Sequence, residues 1–359
     1  MPEHDVDLVI AVHDPERRIE RAVGSALRDT RASTRVTVVC HNTDGAAVRE
    51  RLASLAADRR LRFLDLDDGI PSPSGPFNLG LESATAEYTS IMGSDDELER
   101  GAIDSWLALA RRSGADLVLP SLRIAHGPRV PTPPARPLRR TRLDGVRDRL
   151  AYRSAPLGLV SRARFGAMRF PAGFAAGEDI EYVTALWYSG ARIAFDRRGP
   201  AYLIHSDAPS RTSTSVRPLA TDAVILDSLF ASAQFRELDP RERESVVAKV
   251  YRVNVLGWVA NRPLEAHWAD DDRMELVAAI ERCRRAAPGA ERVLSRLDRQ
   301  VLDLACTPGV STRALLDAAS ARRSHARPAA LLPRRLGDAL RRESPLRFTV
   351  ASALVRFGF

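Results

Sequence analysis

Residues 6–12 (Val-Asp-Leu-Val-Ile-Ala-Val) form an almost unbroken apolar run that His13-Asp14-Pro15 ends. A run of that kind marks a strand buried on both faces of a parallel sheet. Residues 16–27 follow, with Ile19, Ala22, Val23 and Ala26 on one helical face. A second strand is expected at 36–40, a second helix at 46–57 and a third strand at 61–64. This alternation at short spacing predicts a doubly wound parallel sheet with right-handed crossovers. After a Gly-, Pro- and Ser-rich loop at 67–75, Pro76-Phe77-Asn78-Leu79-Gly80 opens a short helix toward Ala86. Residues 87–92 then read as a strand, and a helix at 99–112 spaces Ile103, Trp106, Leu107 and Ala110 along one face. Short strands are expected at 115–119, 156–160, 192–195 and 201–204. A helix opens at Gly177-Glu178-Asp179 and runs through Trp187. The Pro- and Arg-rich stretch 123–142 has little periodicity and reads as a surface excursion or a mobile loop over a site.

From Pro218 onward the strand signals vanish. Amphipathic helices are expected at 221–234, 241–260, 271–286, 291–305 and 311–322. The change of pattern places a boundary near residue 217, giving an α/β domain at 1–217 and a helical domain at 218–359. The final stretch, 334–359, alternates arginines with Leu336, Leu340, Phe348, Val350, Leu354, Val355 and Phe357. Two readings stand for it. It is either a basic amphipathic tail resting on an anionic membrane surface, or a terminal helix docked on its own domain or on a second subunit of a homo-oligomer.

The chain has 359 residues, 45% of them hydrophobic, enough for a sizeable core. Its net charge is +8, from 54 Lys and Arg against 46 Asp and Glu, and Lys249 is the sole lysine. So one-sided an arginine usage weakens the charge as a nucleic-acid signal, and no helix-turn-helix or aromatic platform is present, so nucleic acid is not an expected partner. Lysine chemistry is excluded for nearly the whole chain. Cys40, Cys283 and Cys306 match no metal spacing and read as small core residues in a reducing compartment. The polar start is not a signal peptide and no apolar run reaches transmembrane length. The expected location is cytoplasmic, with peripheral contact at the inner face of the plasma membrane through 334–359.

Ile91-Met92-Gly93-Ser94-Asp95-Asp96-Glu97 carries the first candidate chemistry. Asp95 and Asp96 fall at the C-terminal end of a buried strand, the edge where open α/β sheets place ligands. Adjacent carboxylates repel unless a cation sits beside them, and hard oxygen ligands suit Mg²⁺ or Mn²⁺ bridging to a diphosphate. The plainer reading is an acidic first turn of the following helix. Neither Gly-x-Gly-x-x-Gly nor a Walker-type loop follows the first strand.

Taken in order, the motifs resemble inverting family-2-type glycosyltransferases with the GT-A fold, over about residues 5 to 215. The matching pieces are Ile10-Ala11-Val12-His13-Asp14, Pro76-Phe77-Asn78-Leu79-Gly80, Gly93-Ser94-Asp95-Asp96, Glu178-Asp179, and His205 with the hydroxyl run 210–215. The resemblance implies a GT-A-like, mostly parallel doubly wound (Rossmann-like) sheet followed by an all-α C-terminal domain. It implies transfer of a sugar from a nucleotide-diphosphate donor, a UDP-sugar first, to a hydroxyl of a glycan or glycolipid acceptor in a cell-surface or wall polymer. By the same resemblance Asp95, Asp96 and His205 hold Mn²⁺ or Mg²⁺, and Asp179, with Glu178 beside it, is the base. Ala11, His13, Asp14, Asn42, Asn78, Ser94, Asp95, Arg211 and Ser213 line the donor, Arg211 because a guanidinium fork suits phosphate oxygens. One base and one displacement imply inversion at the anomeric carbon. Two departures stand out. Cys40-His41-Asn42 lacks the acid that reads the nucleobase, and Gly93 replaces the first acid of the metal motif.

Each candidate also has a plain structural reading: Asp14 as a turn residue before Pro15, Glu178-Asp179 as an acidic first helical turn, His205 as a structural histidine. Two other functions compete. A sugar-phosphate nucleotidyltransferase would want a glycine- and lysine-rich phosphate loop, and His13-Asp14-Pro15-Glu16 is not one. A non-catalytic basic protein binding membrane or nucleic acid would show steeply salt-dependent binding and no affinity for sugar nucleotides.

Overall fold

The computed structural model describes residues 3–207, 216–322 and 327–358. Arg211 and Ser213, expected at the diphosphate, lie outside the described residues. The chain opens with β1 (Val6–Val12), α1 (Ile19–Leu27), β2 (Thr34–His41), α2 (Gly45–Arg51), β3 (Leu61–Leu66), α3 (Ser74–Glu82) and β4 (Tyr88–Gly93). Next come β5 (Glu97–Leu98), α4 (Ala102–Ser113), β6 (Leu117–Pro120), β7 (Leu122–Ile124), β8 (Arg129–Val130), β9 (Leu159–Ser161) and α5 (Arg162–Phe165). Then α6 (Glu178–Trp187), β10 (Ile193–Asp196) and β11 (Tyr202–Ile204) complete the α/β part.

Seven strands form the main sheet in the order β10-β6-β9-β4-β1-β2-β3. Its pairs are parallel except those of β9, which runs antiparallel to β4 and β6. The apolar runs of β1 and β2 are buried on both faces, as their sequence demands. Register aligns Ala11 with Gly93 and Val12 with Cys40, so β1, β2 and β4 end side by side. Gly80 lets α3 lie flat on this sheet: a Cβ there would meet Val9 Cγ1 at 2.2 Å.

A second sheet, β5-β11-β7-β8, has strands of two or three residues. It overturns one sequence expectation. The acids after β4 do not start a helix: they sit in a turn between β4 and β5, and α4 begins only at Ala102. The stretch 123–142 carries part of this sheet. β7 and β8 pair within it, and the stretch after them is anchored by the buried Asp148. That carboxylate accepts from Arg136 Nη2 at 2.7 Å and from the amides of Arg136 and Asp144 at 3.0 and 2.8 Å.

The remainder is helical, as its periodicity predicts: α7 (Leu219–Ala223), α8 (Ile225–Ala231), α9 (Ala233–Glu237), α10 (Pro240–Lys249), α11 (Leu256–Ala260), α12 (Asp272–Ala286), α13 (Arg296–Cys306), α14 (Thr312–Arg322), α15 (Pro328–Leu331) and α16 (Pro345–Arg356). Asp239 caps α10 in a reciprocal box with Glu242, with Pro240 at the first turn. A π-helical turn, Val250–Val255, joins α10 to α11. The two halves share α6. Its Ile180 is buried in the helical core, while Tyr182, Val183, Leu186 and Trp187 enter the core beneath the main sheet.

α16 docks on its own chain. Phe348 packs on Tyr152 with ring centroids 4.6 Å apart, the Arg252 guanidinium stands 5.1 Å from its ring, and Ala351 and Val355 are buried. Its other side leaves Leu346, Val350 and Phe357 exposed at 45%, 52% and 76%. Among the described residues no helix is long and apolar enough to cross a membrane.

Candidate functional site

The ends of β1, β2 and β4 open into a cavity of about 800 Å³. Ala11, His13, His41, Asn42, Phe77, Ser94, Asp95, Asp96, His205 and Arg217 are among its lining residues. A second cavity of about 330 Å³ is lined by Glu178, Asp179, Lys249, Asn254 and Trp258 among others, and Pro73 and Arg217 line both. The structure therefore offers two neighbouring chambers with Pro73 and Arg217 in the wall of each, the acid turn after β4 in one and the start of α6 in the other.

The acid turn is tied down from the second sheet. The Tyr202 hydroxyl, on β11, donates to Asp96 Oδ2 at 2.6 Å and accepts from the Gly93 amide at 3.0 Å. The His205 amide donates to Asp96 Oδ1 at 3.2 Å. Burial, and after it the neighbouring Asp95, pushes the Asp96 carboxyl above the usual carboxylate range, against the Tyr202 bond. Asp95 faces cations instead: its Oδ1 lies 3.4 Å from Arg17 Nη1, and its carbonyl accepts from Arg21.

These contacts bear on the expected metal trio. Asp96 is bonded on both oxygens, and His205 Nε2 stands 2.9 Å from Glu97 Oε2, so the three side chains are not set around one point. Among the described residues no three His, Cys, Asp or Glu side chains form a group able to hold a metal ion. Asp95 is left as the one member whose carboxylate is not taken up by the acid turn. Gly93 also has a steric reason: a Cβ there would stand 2.8 Å from Asp96 Oδ2 and 3.3 Å from Asp95 Oδ1, so an acid could not enter without moving both.

At the end of β2 an acid arrives from elsewhere in the chain. Asp68, beyond β3, accepts at Oδ1 from the His41 ring at 2.9 Å and the Asn42 amide group at 3.2 Å. Asn42 holds a left-handed backbone (φ 49°) and accepts at Oδ1 from the amides of Asp68 and Gly69, both at 3.0 Å. It thus latches the 68–70 loop onto the cavity rim.

Two expected donor residues do other work. Asp14 Oδ1 accepts from the Glu16 amide at 2.9 Å, a turn that leads the chain toward α1, and Asp14 is not on the cavity wall. Asn78 is consumed by a clasp: Nδ2 donates to the Phe170 carbonyl at 2.9 Å, and Oδ1 accepts from the Phe170 amide at 2.8 Å. Phe170 in turn stacks on Tyr182 of α6 at 4.1 Å. Asn78 therefore positions the approach to α6 and lines neither chamber.

α6 begins after Gly177, whose φ of 86° only glycine adopts without strain. That turn brings Glu178 and Asp179 to the smaller chamber. Burial, then the neighbouring Asp179, pushes Glu178 up to about 7. Burial also raises Asp179, opposed by the Lys249 charge, and Lys249 itself is lowered by burial and raised by Asp179. Arg17, His41, Phe77, Tyr202, Arg217 and Lys249 escaped the sequence reading. Only Lys249 carried a signal, as the sole lysine among 54 lysines and arginines.

No family model matches the chain, and no curated protein matches it in sequence. Solved structures do. The GT-A-type glycosyltransferase TarS of S. aureus, residues 1–349 in complex with UDP-GlcNAc, superposes with a TM-score of 0.71 at 14% identity, covering 89% of this chain and 91% of that one. The structure of TarS 1–349 without that ligand gives 0.65 at 15% identity over the same shares. In the S. aureus TarS structure that extends beyond this segment, the match covers 89% of this chain and 55% of that one, at a TM-score of 0.65 and 15% identity. At this identity the likeness shows the fold: a GT-A-like sheet with a helical C-terminal part, as the sequence motifs imply.

Proposed function

We propose that the chain is a glycosyltransferase that moves a sugar from a nucleotide-diphosphate donor to an acceptor hydroxyl with inversion at the anomeric carbon. The observation that carries the reading is the pair of neighbouring chambers that share wall residues, one lined by Asp95 and the other by Asp179. The GT-A-like fold supports it, and TarS, which shares that fold, binds UDP-GlcNAc. A UDP-sugar is the first donor to test.

The donor would occupy the larger chamber. Ala11, His13, Asn42 and Ser94 line it, and Arg17 and Arg217 bring positive charge to its wall. A divalent cation, Mn²⁺ or Mg²⁺, would be held on Asp95 together with the donor's own phosphate oxygens, and it would supply charge neutralisation to the leaving diphosphate. The acceptor, a hydroxyl of a glycan or glycolipid, would enter the smaller chamber. There Asp179 takes the hydroxyl proton as the oxygen bonds to C1. The C1–O bond to phosphate breaks with its electrons, and the nucleoside diphosphate departs. A base with a raised affinity for protons suits this role better than a solvated carboxylate. Glu178 shares the negative charge of the chamber and is second to Asp179.

The exposed side of α16 favours one addition to this reading. Leu346, Val350 and Phe357 form an apolar stripe at helical spacing, flanked by Arg347 and Arg356. A two-fold contact with a second copy would bring these arginines against their counterparts, whereas an anionic bilayer neutralises them. The stripe is therefore assigned to the membrane surface where a glycolipid acceptor resides. A thermal-shift series of nucleotide sugars, with and without Mn²⁺, tests the donor class. A rise in melting temperature with a UDP-sugar supports it, and no rise with any nucleotide sugar overturns it.

A further inference from the structure

Lys249 has no place in the reading above. It is the sole lysine of the chain and is 2% exposed, yet it lines the same chamber as Asp179. A buried ammonium costs free energy unless it is well partnered. Its ammonium donates to Asn254 Oδ1 at 3.3 Å, a single neutral bond of marginal length. No ion pair within hydrogen-bonding reach compensates it among those formed by the described residues.

The backbone around it is also unusual. Lys249 is the last residue of α10, and the next six residues form the π-helical turn that carries Val253 and Asn254 to the chamber wall. π turns are rare and concentrate at functional sites because the extra residue re-aims side chains. Here the turn puts Asn254 five positions after Lys249 on the same side, where the two side chains meet. The helical half thus brings Lys249 to the wall on which the start of α6 places Glu178 and Asp179.

The other charges of the chamber are committed elsewhere. Arg262 pairs with Asp222 at 3.1 Å and Asp272 at 3.5 Å, and Arg217 pairs with Asp222 at 3.2 Å. Glu178 is the remaining acid. We propose that Lys249 is a positioning residue that keeps the Asp179 carboxylate available as the proton acceptor, with Asn254 holding its ammonium in place. The electrostatic coupling agrees in sign: Lys249 opposes the effect of burial on Asp179. This inference depends on the assignment of Asp179 as base.

The test compares Lys249→Met and Asn254→Ala with the unaltered chain. Turnover is read as UDP release from a UDP-sugar between about pH 5.5 and about pH 9.5. For Lys249→Met the rising limb moves to higher pH by about one unit or more, so turnover falls along that limb and recovers in alkali. KM for the donor stays unchanged and the melting temperature is equal or higher, because a buried charge is gone. Asn254→Ala moves the limb in the same direction by less. A folded Lys249→Met with an unmoved limb overturns the proposal, and so does a uniform loss at every pH accompanied by a lower melting temperature. Should Lys249→Met fail to fold, Lys249→Gln carries the same test. Asp179→Asn separates the two claims: if it is inactive while Lys249→Met is unmoved, only the lysine role fails, and if it turns over normally the base assignment fails.

Discussion

The Tyr202 hydroxyl joins the Asp96 carboxylate and the Gly93 amide, at 2.6 and 3.0 Å, and so fixes the acid turn of the main sheet from a strand of the second sheet. Tyr202→Phe removes the donor from a half-buried carboxylate and leaves the amide unpaired. The expected cost is about 1–3 kcal/mol of stability, with weaker donor binding because the turn that carries Asp95 is released. Chemical denaturation and a UDP-sugar titration of the same variant read the two effects. Unchanged values in both would show that the turn holds itself.

Asp95 differs from Asp96 in what it is left to do. Asp95→Ala is expected to abolish the cation-dependent part of donor binding, because Asp96 is occupied by Tyr202 and the His205 amide. Titration of a UDP-sugar with and without Mn²⁺ shows it. A variant that keeps the Mn²⁺ effect would remove Asp95 from the cation.

Much of this was written in the sequence, and the misses have physical causes. β1, β2 and α12 are legible because a long apolar run or a long periodic stretch leaves few alternatives. β5 and β8 are too short to show a period, and nothing local to the strand expected at 201–204 announces its pairing with them, so the second sheet is not legible in the sequence, and with it the Tyr202 anchor of Asp96. The motif Asn78-Leu79-Gly80 was found in its place, but its partner Phe170 is 92 residues away, and no local pattern announces that Asn78 clasps a loop. Asp68 reaches the His41 ring at the end of β2 through a loop closure of the same kind. The terminal helix docks on its own chain through Phe348, as one of its two readings expects, while Val350 on its other side remains exposed.

Asp7 holds the sheet at its entry. It is 1% exposed, accepts from Arg35 Nε at 2.6 Å and Nη2 at 2.9 Å, and takes the amides of Thr85 and Ala86 at 2.6 and 2.8 Å. Burial alone would raise its carboxyl, but Arg35 and the two amides outweigh it and hold it below the usual range. Its stabilisation is therefore present above the ordinary carboxylate pKa and lost as pH falls through the lowered one. Asp7→Ala should cost about 3 kcal/mol or more at neutral pH. The cost should shrink in acid, as denaturant midpoints at pH 7 and about pH 3 will reveal. A cost independent of pH would contradict the ionic origin.

The outer side of α16 predicts binding to vesicles that contain phosphatidylglycerol and none to pure phosphatidylcholine. Val350→Asp should abolish it while the chain remains folded, since that side chain is 52% exposed. Sedimentation with vesicles reads the binding, and light scattering reads the mass. If Val350→Asp instead splits a dimer, the stripe faces a second copy rather than lipid.

The most direct measurement is donor binding and donor turnover in Asp179→Asn, made on one preparation. Asp179 as base predicts that a UDP-sugar binds as it does to the unaltered chain while UDP release falls by about a hundredfold or more. Turnover equal to that of the unaltered chain would contradict it.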